Sequence, residues 1–205
     1  MKRFILLLIG AICIETVSAQ SLWDVSKPDN RWTLGIEGGI NYAYMDNKDA
    51  GVSRSGFHAG ATIAYNVIKS LSLRSCFSYV KKGFDSSYGS ATMDYLQVPV
   101  LLEWNFETPT GVLFHLNVGP YFAYGIGGNI HFIPYTIQKA YYFDQDCFGS
   151  KGFFKDFDSG IHVGGAIQLL KIRLGIGYEF GLTDIAEVYD KFHNRNLNIS
   201  LGYNF

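Results

Sequence analysis

Charged residues are scarce in this sequence of 205 amino acids. Asp, Glu, Lys and Arg make up 17% of it, whereas ordinary soluble domains contain about 25%. The formal net charge is −1, so nothing in the composition favours nucleic acid as a partner. Proline is rare at 5 residues, but aromatic residues reach 16% and glycine 23 residues. This combination indicates β structure in an apolar setting.

Two further absences narrow the class of protein. After residue 19, no stretch approaches the ~20 continuous apolar residues that a transmembrane helix needs. Cysteine occurs three times, and the two copies after residue 19, Cys76 and Cys147, are too few for a disulfide framework. We therefore expect neither a membrane-spanning helix nor an essential disulfide.

The first 19 residues have the pattern of a secretory signal peptide. Lys2 and Arg3 supply positive charge, residues 4–14 are apolar, and residues 17–19 are small enough for cleavage after Ala19. An uncleaved anchor is the alternative, but the apolar run is too short to span ~30 Å of hydrocarbon as a helix. The sequence predicts export and a mature chain that begins at residue 20.

The carboxy-terminal stretch 195–205 alternates strictly between apolar and polar or small residues. Leu197, Ile199, Leu201, Tyr203 and Phe205 form the apolar set, as in a strand with one apolar face. Seven earlier segments repeat this pattern: 32–42, 56–67, 70–80, 92–105, 112–124, 159–169 and 172–182. Eight strands of about ten residues each have the length that crosses a bilayer at a tilt.

The connections between these segments alternate in length. Four long connections, at 44–55, 81–91, 125–158 and 183–194, alternate with three short turns. Bacterial outer-membrane barrels show this asymmetry, with short periplasmic turns and longer external loops. The four long connections are therefore predicted to lie outside the cell.

The two faces of the predicted strands differ in charge. The apolar face carries no charged residue, and the other face is rich in Gly, Ala, Ser, Thr and Asn. A soluble β-sandwich or lipocalin-like barrel would place its apolar face inside and charges freely outside. The charges within strands all fall on the small-residue face: Glu37, Arg74, Glu103, Arg173 and Glu179.

These patterns predict an all-β protein: an eight-stranded antiparallel up-and-down transmembrane β-barrel with a filled polar interior. The domain division is a signal peptide at 1–19 and an outer-membrane β-barrel at 20–205. Pro99 and Pro120 lack the donor that a strand paired on both sides requires. We expect a bulge or a widened ladder at each of them.

The five interior charges admit two interpretations. They could line an ion path, or they could form a salt-bridge network, since charges away from water are tolerated when paired. We favour the network and predict that Arg74 or Arg173 pairs with Glu103 or Glu37.

Three histidines, His58, His115 and His162, also face inward. A lipid hydrolase would need its nucleophile and histidine on the lipid face, and no His-x-His spacing suggests a metal site. We predict no catalytic residue, no cofactor and no metal.

The connection 125–158 is the strongest candidate for a functional surface, because loops of this length are usually functional or disordered. Its aromatic residues could form an external surface that binds another envelope protein. They could equally pack together over the barrel mouth or extend the flanking strands. The candidate residues are Phe132, Tyr135, Tyr141, Tyr142, Phe143, Phe148, Phe153 and Phe154.

The segment 94–102, DYLQVPVLL, and the terminal Tyr203-Asn204-Phe205 resemble the PorT-like outer-membrane β-barrel family. The architecture is similar to that of the small OmpA-type and OmpX-type barrels. The resemblance implies an outer-membrane location, contact with its lipid, and assembly by the barrel insertion machinery, which would read Tyr203 and Phe205. No further domain is expected after Phe205.

We expect a monomer that acts structurally, in adhesion or in partner binding through its external loops. The alternatives are an accessory subunit of an export or secretion assembly, or a narrow channel for ions or small solutes. Bilayer conductance would separate a channel from the other roles, and cross-linking in intact envelopes would separate an accessory subunit from a lone barrel.

Overall fold

The computed structural model describes residues 23–45, 52–86, 89–132, 143–149, 152, 154–185 and 193–205. The predicted signal peptide lies outside these residues. The described part contains nine β-strands: β1 (Trp32–Met45), β2 (Val52–Ile68), β3 (Leu71–Ser86), β4 (Gly89–Glu107), β5 (Val112–Phe132), β6 (Phe143–Asp146), β7 (Phe157–Leu169), β8 (Ile172–Gly181) and β9 (Asn194–Asn204). Among these residues there is no helix long and apolar enough to cross a membrane.

Eight of the nine described strands close into an antiparallel barrel, which confirms the predicted fold class. Each strand pairs with the next one in the ring, and β1 pairs with β9 to complete it. The short strand β6 lies outside the ring, where it pairs with the last four residues of β5. Closure satisfies the backbone donors and acceptors without an open sheet edge, which hydrocarbon could not hydrate.

The barrel has a turn end and a loop end. The turn end holds three short connections, β2–β3, β4–β5 and β7–β8, and two of them use a positive φ: 80° at Gly111 and 55° at Leu170. The loop end holds the other connections, including all the internal ranges outside the described residues. Both ends of the described chain, Trp23 and Phe205, lie at the turn end.

The outer face of the barrel is apolar and the inner face is polar. In β8, Leu174 and Ile176 are more than half exposed, whereas Arg173 and Glu179 on the other face are buried. In water, each exposed side chain of this size would forgo about 1.5–3 kcal/mol of burial energy. Apolar exposure on every strand of the ring is the arrangement of a barrel surrounded by lipid.

Aromatic side chains gather in a girdle at each end of this apolar band. At the turn end, the rings of Trp32 and Tyr65 lie 4.8 Å apart and those of Phe106 and Phe114 5.4 Å apart. At the loop end, Phe57 contacts Tyr79 at 5.7 Å, and Tyr178 contacts Phe180 at 4.5 Å. Membrane barrels place such girdles at the two interfaces.

The strands at the loop end run further than the sequence pattern predicts. The predicted loop 81–91 is wrong, because β3 continues to Ser86 and β4 begins at Gly89. The predicted irregular region 125–158 is also partly wrong, since β5 reaches Phe132 and β6 follows it. Beyond the membrane, the inward side chains of these strands are apolar and the outward side chains are polar. This is the opposite of the pattern in the membrane, so the segments look like polar loops in the sequence.

The two prolines interrupt the pairing without a bulge. Pair partners are absent at Val98 and Pro99 against β3, and at Gly119 and Pro120 against β4, but the register on both sides of each gap is the same. Ser75 donates a hydrogen bond to the Pro99 carbonyl at 2.7 Å beside the first gap. The prolines are thus accommodated by missing ladder pairs.

Residues 23–31 are attached to the β2–β3 turn by hydrogen bonds. The Lys69 and Ser70 amides donate to the carbonyls of Ser26 and Asp24 at 3.1 and 3.2 Å. The exposed ring of Trp23 also meets the Trp104 ring edge-on at 6.4 Å. This segment therefore forms part of the wall at the turn end.

Candidate functional site: the barrel interior and its external extension

Two ion pairs occupy the interior between the barrel centre and the turn end. Arg74 donates to Glu37 at 3.0 Å. Arg173 donates to both carboxylate oxygens of Glu103, one of them at 3.2 Å. Because β8 and β4 are not neighbours in the ring, the second pair spans the lumen. Four of the five predicted interior charges are brought together in this way.

The fifth charge, Glu179, lies in a second polar layer nearer the loop end. Lys82 approaches its carboxylate to 3.1 Å, and the side-chain amides of Gln97 and Asn196 donate to it at 2.6 and 2.9 Å. Lys82 also donates to Gln97 at 2.9 Å. Sequence reasoning missed Lys82 because it falls in the range predicted as a loop, although the β3 alternation extended past Val80 would have found it.

A third polar group marks the boundary with the loop end. The Tyr121 hydroxyl and the Asn194 amide donate to Asp158 at 3.2 and 2.8 Å. The Lys82 ammonium lies 4.9 Å from the centre of the Tyr121 ring, a cation–π contact. These residues separate the charged interior from an apolar region above it.

That apolar region fills the loop-end mouth of the barrel, and we call it the apolar plug. The Phe148 ring lies edge-on to Tyr95 at 5.2 Å, and Phe154 lies edge-on to Phe84 at 6.3 Å. The plug comprises Ala91, Met93, Tyr95, Tyr121, Ala123, Ile130, Cys147, Phe154 and Ile185, with Phe84 and Phe148 packed against them. It closes the described part of the mouth with side chains.

Hydrogen bonds fix the part of the plug that follows β6, where Cys147 and Phe154 lie. The Cys147 amide donates to the Gly128 carbonyl, and the Phe154 amide to the Cys147 carbonyl, each at 3.0 Å. The Lys155 amide and ammonium reach the carbonyls of Ile185 and Asp184 at 3.0 and 2.9 Å. The plug is thus tied both to β5 and to the β8–β9 connection.

Beyond the plug, the strands form a small sheet that we call the extension. It consists of residues 81–86, 89–94, 125–132 and 143–149, so that β3, β4, β5 and β6 lie side by side. Its inner face supplies Met93 and Ile130 to the plug, and Phe84 packs against them. The opposite face carries polar residues, including exposed Asp85 and Asn129.

The candidate aromatic residues of 125–158 divide into three groups. Phe154 is buried in the plug and Phe148 is partly buried against it, so these two pack inward rather than presenting a surface. Phe132 and Phe143 pair with each other across β5 and β6. The remaining candidates, Tyr135, Tyr141, Tyr142 and Phe153, lie outside the described residues.

Two of the three interior histidines lie within hydrogen-bond distance of asparagine side chains. His115 Nδ1 lies 2.7 Å from the Asn105 side-chain oxygen, and His58 Nδ1 lies 3.3 Å from that of Asn41. Among the described residues, no group of three His, Cys, Asp or Glu side chains could hold a metal ion. The absence of an enzymatic activity stays a prediction.

Cys76 and Cys147 are both free and buried. They occupy different surroundings, since Cys76 faces the polar interior and Cys147 belongs to the plug. The Cys147 thiol donates to the Thr92 carbonyl at 3.2 Å. Burial raises the pKa of this thiol to about 12, so it is held in its neutral form.

Two cavities lie in the described part of the polar interior. The larger, of about 790 Å³, opens at the turn end between the amino-terminal segment and the barrel wall. The smaller, of about 70 Å³, lies deeper, between the two charged layers. Arg74 and Arg173 line both cavities and therefore lie between them.

An apolar outer face, two aromatic girdles and a charged, buried interior define a transmembrane β-barrel. The chain matches the family model described as "Outer membrane protein beta-barrel domain" over residues 18–187. It belongs to this family and is an outer-membrane protein. A search of curated proteins finds no match to the chain.

Solved structures of small bacterial barrels resemble the chain in fold. The neisserial surface protein NspA aligns with a TM-score of 0.52 at 12% identity, covering 84% of this chain and 97% of its own. Ail, the attachment invasion locus protein of Yersinia pestis, gives 0.45 at 14%, covering 86% and 100%. OprG of Pseudomonas aeruginosa gives 0.42 at 13%, covering 89% and 99%. At 12% identity, the likeness to NspA concerns the fold alone.

Proposed function

We propose that the protein binds a macromolecular partner at the cell surface through the extension. The observation that carries this proposal is the unequal length of the strands. β8 and β9 have 10 and 11 residues, which suffices to cross a bilayer. β4 and β5 have 19 and 21 residues, and the excess projects from one side of the barrel as a folded sheet.

The form of the extension suits recognition. Its polar outer face needs no further covering, and its apolar inner face packs on the plug, so the sheet holds a fixed shape above the membrane. Binding residues are commonly carried on loops that a rigid scaffold positions. The scaffold here is the β5–β6 pair, and the connection 133–142 with Tyr135, Tyr141 and Tyr142 joins its two strands.

Of the two alternative roles, the narrow channel fits the structure less well, and the accessory subunit is a variant of partner binding. A narrow channel is disfavoured because the apolar plug fills the described part of the mouth. An accessory subunit of a secretion assembly, the role that a PorT-like relationship would suggest, would bind an envelope protein by the same surface. We propose a monomer in outer-membrane lipid, assembled by the barrel insertion machinery through Tyr203 and Phe205.

Photo-cross-linking in intact cells tests the proposal. A photoreactive amino acid replaces Asn129 or Ser53, which lie at the loop end on different strands, or Leu174 on the membrane face as a control. We expect one partner, identified by mass spectrometry, to be captured from both loop-end positions and not from Leu174. Capture of lipopolysaccharide alone, or of no molecule, would contradict the proposal.

A loop replacement then locates the binding residues. Phe132 and Phe143 are paired across the strands, so residues 133–142 can be exchanged for Asn-Gly, which favours a tight hairpin. The matched control shortens the β8–β9 connection at 186–192 to a Gly-Ser linker. We expect the first change to abolish cross-linking in a folded barrel and the second to preserve it. Equal cross-linking by both variants would exclude 133–142 as the binding segment.

A further inference from the structure

The smaller interior cavity is surrounded by polar atoms that have no partner in the protein. It is lined by Asn117 on β5, His162 on β7 and Asn196 on β9. The Asn117 Oδ1, His162 Nδ1 and Asn196 Oδ1 atoms are buried and lack hydrogen bonds. An unpaired buried polar atom costs about 1–3 kcal/mol, so three such atoms around one cavity point to a ligand.

The hydrogen bonds of the two amides fix the kind of group that this ligand must offer. The Asn196 amide nitrogen donates to Glu179 at 2.9 Å, and that of Asn117 donates to Glu103 at 3.4 Å. Rotating either amide would turn its oxygen toward a carboxylate, which cannot donate. Both Oδ1 atoms are therefore acceptors, and the ligand must be a hydrogen-bond donor.

The size and charge of the cavity identify water as that donor. A volume of about 70 Å³ exceeds the ~10–15 Å³ of probe-occupied space that one water needs. Each carboxylate that lines the cavity already has a cationic partner, Arg74 for Glu37 and Lys82 for Glu179. A metal cation would therefore compete with a guanidinium or an ammonium for each of these ligands.

His162 supports the same assignment. Its Nδ1 atom lies 3.7 Å from Glu179 Oε1, too far for a direct hydrogen bond. Inward-facing glycines make room for its ring: a Cβ at Gly164 would approach the imidazole to 2.9 Å and one at Gly177 to 2.5 Å. The Nδ1 atom thus faces the cavity beside Glu179 without a direct hydrogen bond, and a water molecule can bridge the two groups.

We propose that this cavity is a hydrated chamber that binds a small cluster of ordered water molecules and exchanges them with the turn end only. The route passes Arg74 and Arg173, which line both the chamber and the larger open cavity. The apolar plug blocks exchange toward the loop end. Water therefore reaches the level of Glu179 from one side of the membrane.

The two native cysteines provide a matched pair of reporters. Cys76 lines the chamber and Cys147 belongs to the plug, and their exposed fractions are 4% and 0%. Pulsed radiolysis generates hydroxyl radicals from bound water, and mass spectrometry measures the oxidation of each cysteine in the folded protein in lipid nanodiscs. We expect Cys76 to be oxidised several-fold faster than Cys147. Equal rates, or faster oxidation of Cys147, would overturn the proposal.

A cavity-filling variant separates chamber water from general accessibility. Ser200 also lines the chamber, so Ser200→Leu should expel water and slow Cys76 oxidation toward the Cys147 rate. Ser55→Leu, at an exposed loop-end position, is the control and should leave the ratio unchanged. The band shift on unheated gels verifies that each variant has folded.

Two further outcomes complete the test. If Ser200→Leu does not fold, the wild-type comparison of Cys76 with Cys147 decides alone. If it folds and Cys76 oxidation does not slow, the chamber is not the source of the water and the proposal fails. An unfolding temperature that rises with sodium but not with choline would assign the site to a monovalent cation and would also overturn the proposal.

Discussion

The two halves of the barrel interior are enclosed by the same ring of strands, but one half is charged and the other is apolar. Toward the turn end, the inward positions hold Arg74, Arg173 and Glu103, all buried and paired. Toward the loop end, inward positions of β4, the strand that carries Glu103, hold Met93 and Tyr95 in an apolar cluster. The period-two alternation thus determines which residues face inward. The residue types at those inward positions determine whether the enclosed space is charged or apolar.

The difference between the halves indicates what each one does for the protein. The ion pairs join strands that are not neighbours in the ring, and the Arg173–Glu103 pair spans the lumen, so they stabilise the closed barrel from inside. The plug closes the mouth and supports the extension, which lies above the membrane. Variants that act on only one half can therefore test the division.

The largest effect is expected from Arg173→Met in the charged half. The change leaves Glu103 buried without its cation, which costs about 3–5 kcal/mol in folding free energy. The measurement is denaturant unfolding in detergent micelles, followed by tryptophan fluorescence. The double variant with Glu103→Gln should recover part of the loss, and full wild-type stability of R173M would show that the pair contributes nothing.

A slightly smaller loss is expected from Phe154→Ala in the apolar half. Removing a buried phenylalanine costs about 3–5 kcal/mol in a closed core, and we expect about 3 kcal/mol because the plug lies at the barrel mouth. Phe157→Ala, whose side chain is exposed on the outer face, is the control for loss of an aromatic ring. Similar unfolding curves for both variants would remove the distinction between plug and lipid face.

The junction of the halves is tested by Gly119→Ala. A Cβ at Gly119 would lie 2.0 Å from the Val100 carbonyl oxygen, so β4 and β5 would have to separate beside the two prolines. Overpacking of this kind costs about 1–3 kcal/mol. Gly165→Ala, where the nearest atom is 3.2 Å away, should cost less in the same unfolding assay, and the reverse order would contradict the described register.

The smallest effect concerns the thiol of Cys147. Because burial raises its pKa to about 12, the folded protein keeps this thiol protonated at pH 9, whereas an unfolded cysteine with a pKa of about 8.5 is largely thiolate. Stability should therefore fall slightly as pH rises above the unfolded value. Iodoacetamide labelling read by mass spectrometry should modify Cys147 much faster after denaturation; rapid labelling in the folded state would disagree with a sealed plug.

Sequence patterning predicted the closed barrel well because one physical rule acts on every strand. Hydrocarbon tolerates no charge on the outer face, so Leu174 and Ile176 alternate with Arg173 and Glu179 without exception in β8. The same rule placed the interior charges on the inner face. The partner of each charge was open, since it depends on which strands approach across the lumen.

The loop-end half was predicted less well because the rule changes there. Above the membrane, water replaces lipid around the barrel. Residues such as Lys82 and Phe84 therefore belong to strands whose sequence no longer has the pattern of a membrane-spanning segment. Phe148 and Phe154 could equally have been a surface or a core. Only the pairing of β6 with β5 and the backbone hydrogen bonds of Cys147 and Phe154 place them inward. Packing between segments that are distant in the sequence produces no periodic pattern from which it could be predicted.

The central claim is that hydrocarbon contacts the apolar outer face and that the aromatic girdles mark its boundaries. All three tryptophans of the protein, Trp23, Trp32 and Trp104, lie at the turn end. Fluorescence quenching in vesicles of brominated lipids measures their depth. We predict strong quenching by bromines placed near the headgroups and weaker quenching by bromines near the bilayer centre, whereas no quenching by either lipid would contradict the account.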